Sequence, residues 1–141
     1  MDLRETTVAF GKEGEVLRGV LHEPERPNGI GVVFLHGWPG NRIGPHRMFV
    51  TLARRLCASG FHCLRIDFGG RGDSDGRTNE ASIRSMMADT IRAVDFLSTR
   101  PAVNSLFLLG ICSGGKVAVG AAAVDPRIRG LALWSAEAMG G

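Results

Sequence analysis

The sequence predicts an α/β fold: a mostly parallel sheet with helices on both faces, opened by an antiparallel hairpin. Three observations predict it. Residues 30–35 (IGVVFL) and 106–111 (LFLLGI) are short, unbroken apolar runs, as strands buried on both faces require. Longer segments between and after them carry apolar residues at helical spacing. Loops rich in glycine and proline separate the two kinds. Strands and helices that alternate in this way build a parallel sheet through right-handed crossovers.

Each element follows in order. Residues 6–10 and 15–22 read as two strands around the turn Gly11-Lys12-Glu13-Gly14, and residues 24–29 as a loop. After the strand at 30–35 comes a Gly/Pro-rich loop, then a helix over 46–58 with Phe49, Val50, Leu52, Ala53 and Leu56 on one stripe and Gly60 as its stop signal. Residues 61–66 form the next strand, and 68–78 a loop with four glycines. The helix over 80–97 is the most regular, with Ile83, Met86, Met87, Ile91, Val94 and Leu97 on one face and Pro101 beyond its end. A strand at 106–111, a helix at 113–124 and a strand at 131–135 complete the order β-β-β-α-β-α-β-α-β.

Composition narrows the function. The 141 residues suit one domain, 1–141. Hydrophobic residues at 44% and charged residues at 22% exclude a disordered chain. The net charge is +3, but the arginines are scattered, so no nucleic-acid partner is expected. Met1-Asp2-Leu3-Arg4-Glu5 has no apolar signal core and no stretch is long and apolar enough to span a bilayer, so no membrane association and a cytoplasmic location are expected. The three cysteines, Cys57, Cys63 and Cys112, show neither a disulfide framework nor a close metal pair, and no metal is expected. Cys57 and Cys63 read as small core residues.

In an open sheet of this kind ligands bind at the carboxyl ends of the strands, here just after Leu35, Ile66 and Ile111. Gly110-Ile111-Cys112-Ser113-Gly114-Gly115 lies between a strand and a helix, the context of a nucleophile elbow. The nucleophile there sits on a sharp turn that leaves room only for small residues two positions away on either side. Cys112 puts Gly110 and Gly114 at those positions, whereas Ser113 puts Ile111 and Gly115 there, so Cys112 fits better. The thiolate is the reactive form of cysteine, and a helix N-terminus favours negative charge. A buried cysteine on a tight turn satisfies the same local pattern. The segment through Lys116 also fits G-x-x-x-x-G-K, but Val117 stands where a phosphate-binding loop needs Ser or Thr. His36-Gly37-Trp38-Pro39-Gly40 follows the 30–35 strand, and a Gly-rich loop there turns backbone N–H groups toward the cleft. His36 itself reads as a hydrogen-bonding residue of that loop rather than a general base.

Together these segments resemble the α/β-hydrolase superfamily, in its dienelactone-hydrolase-like or serine-aminopeptidase-like branch. His36 to Gly40 is similar to the HGxxG oxyanion loop. Asp67-Phe68-Gly69-Gly70-Arg71-Gly72-Asp73-Ser74 is similar to the D-x-R-G-x-G-x-S loop, with Gly69 in place of the arginine. Gly110 to Gly115 is similar to a G-x-C-x-G-G elbow. The resemblance implies an α/β-hydrolase fold, truncated after the sixth strand, and a hydrolase acting on a small-molecule carboxylic ester, lactone or thioester. It implies Cys112 as nucleophile and the backbone N–H groups of Trp38 and Ser113 as oxyanion donors. His36, Gly37, Gly40, Gly110 and Gly114 would support the motifs, and no cofactor is implied. Peptidase and acyltransferase chemistry occur on the same scaffold.

The departure is that the triad acid and histidine belong after later strands. The four histidines, His22, His36, His46 and His62, all precede Cys112, and only Glu137 follows the last strand as a candidate acid. The chain is therefore expected to be the N-terminal half of such a protein, with weak or absent turnover alone. Its open sheet edge calls for a missing C-terminal half or a homo-oligomer to cover it. A non-catalytic binding protein on a hydrolase scaffold is the other reading.

Overall fold

A computed structural model describes residues 4–37, 40–44, 47–77 and 81–134. The opening hairpin is β1 (Arg4–Phe10) and β2 (Leu17–Glu23), antiparallel, with Phe10 opposite Leu17 and Arg4 opposite Glu23. There follow β3 (Ile30–Leu35), α1 (Met48–Ala58), β4 (His62–Asp67), α2 (Ile83–Ser98), β5 (Ser105–Ile111), α3 (Ser113–Val124) and β6 (Ile128–Trp134). They form one sheet in the order β1-β2-β4-β3-β5-β6. β2 runs antiparallel to β4, while β4, β3, β5 and β6 are parallel neighbours.

The two-faced burial read from the apolar runs follows from the pleat. On β3, Val33 and Leu35 point with Leu64, Ile66 and Leu108 into a core closed by Met86, Val94 and Leu97 of α2 and by Val117, Ala118 and Ala121 of α3. Val32 and Phe34 point the other way, with Cys63, onto Phe49 and Ala53 of α1. Phe34 and Phe49 meet edge to face at 5.2 Å. Burying a side chain such as Phe49 contributes about 2–3 kcal/mol.

Several boundaries differ from the sequence reading, and three of them have a visible cause. α2 starts at Ile83 instead of 80, because Ser82 adopts an extended conformation and caps it. The Ser85 N–H donates to Ser82 Oγ at 3.1 Å and the Ser82 N–H to Ser85 Oγ at 2.8 Å, a reciprocal capping box. β6 begins at Ile128, three residues early; Asp125 accepts the Arg127 N–H at 3.0 Å and turns the chain straight from α3 into the sheet. Glu15 and Val16 are not in β2. Val16 instead bonds Asp75 in the loop after β4: its carbonyl accepts the Asp75 N–H at 2.8 Å and its N–H donates to the Asp75 carboxylate at 3.2 Å.

The topology locates the site. β3 leads through α1 to β4 on one side, and β5 leads through α3 to β6 on the other, so the chain departs in opposite directions from two adjacent parallel strands. The crevice beyond their carboxyl ends is the switch point where such sheets hold ligands. No helix among the described residues is long and apolar enough to cross a membrane.

Candidate active site

A single residue, Cys112, separates the end of β5 from the start of α3. Its backbone takes φ 53° and ψ −124°, a region that costs a non-glycine residue about 1–3 kcal/mol. The turn is held on both sides: the Cys112 N–H donates to the Trp134 carbonyl at 3.1 Å, and the Gly115 N–H donates to the Cys112 carbonyl at 2.9 Å. The result is an exposed thiol above the crevice. Cys57 and Cys63 are buried, and burial pushes both thiols up from their ordinary range.

The small residues flanking the turn have a measurable reason. A Cβ on Gly110 would lie 2.5 Å from the Gly114 carbonyl oxygen, and one on Gly114 would lie 2.7 Å from the His36 carbonyl oxygen and closer still to that of Leu35. Strand end, helix start and the loop after β3 thus share one crowded point. That loop also reaches Cys112 itself: a Cβ on Gly37 would fall 3.1 Å from the Cys112 Cβ. Ser113 opens α3, so its backbone N–H stands at the N-terminus of that helix, next to Cys112.

His36 is buried at 1% exposure against Phe68. Its Nε2 accepts from the Phe68 N–H at 3.1 Å, and its Nδ1 lies 2.8 Å from the Gly37 carbonyl, which fixes a neutral tautomer with the hydrogen on Nδ1. Burial lowers its pKa in the same sense. The loop turns again where the Gly40 N–H donates to the Gly37 carbonyl at 2.6 Å. Trp38, the expected second oxyanion donor, lies outside the described residues, as do His46 and Glu137.

The other two described histidines are far from this crevice. His22 sits opposite Cys63 and His62 opposite Gly31, at the amino ends of the parallel strands. Cys112 lies at the carboxyl end of β5. His22 is fully buried, accepts from Arg65 Nε at 2.9 Å, and its pKa is lowered to about 4, by burial first and then by the Arg65 charge. No His, Cys, Asp and Glu group among the described residues is arranged to hold a metal. Gly110 is already in β5 and Gly114 to Lys116 are already helical, so the segment forms no phosphate-cradling loop.

One participant escaped the sequence reading. Arg42, on the loop after β3, pairs with Asp67 at the end of β4 and with Asp73 on the loop that follows. Nothing in the sequence links residues that stand 25 and 31 positions apart. Asp67 was visible as part of the D-x-R-G-x-G-x-S segment, but its partner was not.

With this geometry in hand, the comparisons agree on its kin. The sequence profile of the family described as serine aminopeptidase, S33, matches residues 29–139. Lysophosphatidylserine lipase ABHD12 of Gallus gallus is 34% identical over 87 residues, 62% of this chain and 22% of that protein. The AB hydrolase superfamily protein YisY of Bacillus subtilis is 36% identical over 92 residues, 65% of this chain and 31% of that protein. The chain therefore spans between a fifth and a third of the length of these curated relatives. Among solved structures, the α/β hydrolase GrgF from Penicillium superposes with a TM-score of 0.82 at 26% identity, over 92% of this chain and 45% of that one. The Pyrococcus furiosus esterase Pf2001 superposes with a TM-score of 0.79 at 21% identity, over 92% and 51%, which speaks to the fold alone. The profile match across most of the chain, laid over a sheet whose strained turn and Gly-rich loop meet at one crevice, shows that this chain belongs to the α/β-hydrolase family described as serine aminopeptidase, S33.

Proposed function

We propose that the chain carries the nucleophile half of a hydrolase acting on a carboxylic ester, lactone or thioester, with Cys112 as nucleophile. The observation that supports this best is the backbone of Cys112: a strained one-residue turn that leaves its thiol exposed while the other two cysteines are buried. In the proposed reaction the Cys112 thiolate attacks the substrate carbonyl carbon, and the C–S bond forms as the carbonyl oxygen becomes an oxyanion. The Ser113 N–H and the Trp38 N–H would donate to that oxyanion, a contribution of several kcal/mol. Collapse expels the leaving alkoxide or thiolate, which takes up the proton the base removed from the thiol. Water then cleaves the thioester and returns the thiol.

None of the three described histidines serves as the base this scheme needs, since His36 is fully engaged and His22 and His62 lie at the opposite strand ends; the order nucleophile, acid, histidine places that base after Cys112, on a histidine the 141 residues do not supply. The exposed Leu131, Leu133 and Trp134 of β6 would be covered by whatever supplies it, further polypeptide or another copy. The ABHD12 relatives favour a lipid-like ester among the substrates. Peptide cleavage, which the name serine aminopeptidase gives to the family, and acyl transfer are variants of the same step. Engagement or burial of each described histidine favours one other reading, a binding scaffold without turnover.

The test is intact-protein mass spectrometry after brief exposure to a thiol-reactive acyl probe, beside Cys112→Ser. Fast single labelling that disappears in Cys112→Ser, with Cys57 and Cys63 untouched, is the expected result. Slow, equal labelling of all three cysteines would remove Cys112 from the mechanism.

A further inference from the structure

We infer that Asp67 and Arg42 are positioning residues that hold the loop after β3, at Gly37, against Cys112, so that this side of the site is set before substrate arrives; this rests on the nucleophile reading above. Asp67 ends β4 and is fully buried. One carboxylate oxygen accepts the Arg42 backbone N–H at 2.7 Å; the other accepts the Asp73 N–H at 3.0 Å and pairs with Arg42 Nη1. Arg42 Nη2 reaches the Asp73 carboxylate at 2.9 Å. The Arg42 carbonyl is also held, accepting from Arg65 Nη1 at 3.2 Å. Both backbone polar groups of this one loop residue are therefore fixed by side chains of β4.

The loop on the other side of the pair is shaped to fit. A Cβ on Gly72, whose φ is +48°, would lie 2.7 Å from Asp67 Oδ1 and nearer to the other two carboxyl atoms. Ser74 Oγ donates to the Asp67 carbonyl at 2.5 Å and accepts the Arg18 N–H at 2.8 Å, tying the same corner to β2. The loop after β3 is thus anchored at two points to the carboxyl end of β4 and the residue after it, His36 to Phe68 near its start and Arg42 to Asp67 near its end. Between these anchors Gly37 lies against Cys112. The spacing separates the two tasks: Asp67 and Arg42 act on the reaction only through the loop.

Two reactions of Cys112 distinguish this role from simple stability. Acetylation by p-nitrophenyl acetate forms a C–S bond, passes through an oxyanion and releases p-nitrophenolate. Alkylation by iodoacetamide forms a C–S bond and releases iodide with no oxyanion. Both rates are read by intact mass on the parent chain, Asp67→Asn and Arg42→Gln, the second keeping the buried carboxylate in place in case the first does not fold. Acetylation is expected to slow by about 10- to 100-fold in Asp67→Asn and by about 3- to 10-fold in Arg42→Gln, with alkylation within about twofold of the parent. Equal slowing of both reactions in the folded variants, or acetylation at the parent rate in both, overturns the positioning role while leaving the nucleophile in place. Absence of acetylation in the parent chain, with alkylation intact, overturns the nucleophile reading and this role with it.

Discussion

At the scale of single residues, the chain concentrates strain where it presents a thiol. A cysteine at φ 53° is unfavourable, and it persists because hydrogen bonds on both sides and close glycine contacts hold the turn. That crowding makes Gly114, like Gly110, a sensitive position of the turn. Gly114→Ala places a methyl group against the Leu35 and His36 carbonyls, backbone atoms that no side-chain rotation can move aside. It should destabilise the protein by about 1–3 kcal/mol, read as a lower urea midpoint at unchanged slope. A midpoint equal to the parent's would mean that the strand, helix and loop do not share this contact. The strained turn was legible in the sequence because its requirement is local: two small residues at fixed offsets from Cys112. The Arg42–Asp67 pair was not, because its members meet only when the loop after β3 folds over the end of β4.

At the scale of elements, apolar spacing located every strand and helix, while polar side chains set their ends. α2 shows the division of labour. Its buried face, with Met86, Val94 and Leu97, follows the expected stripe, but its first turn is fixed by Ser82 and Ser85. Ser82→Ala removes the acceptor for the Ser85 N–H and should cost about 1 kcal/mol, or a few degrees of Tm. An unchanged Tm would assign the start of α2 to packing alone. The early start of β6 was hidden for a related reason. Arg129 and Gly130 interrupt the apolar pattern, yet Gly130 pairs with Phe107 and its lack of a side chain leaves room for that ring.

At the scale of the whole molecule, the buried histidines set its tolerance of acid. His22 has its pKa lowered from 6.5 to about 4, so between those values the unfolded chain binds a proton that the folded chain refuses. Its contribution is fully present above about pH 6.5 and is lost as the pH falls toward 4, by ~3 kcal/mol at most. His36 and His62, also lowered by burial, add the same sign. Asp89, raised by burial, opposes it. Urea midpoints should therefore drop between pH 7 and pH 4.5, and His22→Gln should flatten the drop. A parent curve with no slope in that window would mean that His22 is solvated.

The sequence by itself determined the alternation of strands and helices, the hairpin, the elbow and the family, because each rests on residue types at short, fixed spacings. Only the tertiary structure decided that Gly37 lies against Cys112, that His36 is spent on Phe68 and Gly37, and that Arg42 is clamped by Asp67. Those facts depend on which strands become neighbours, and the crossovers that make β3 adjacent to both β4 and β5 bring together residues that no local pattern connects.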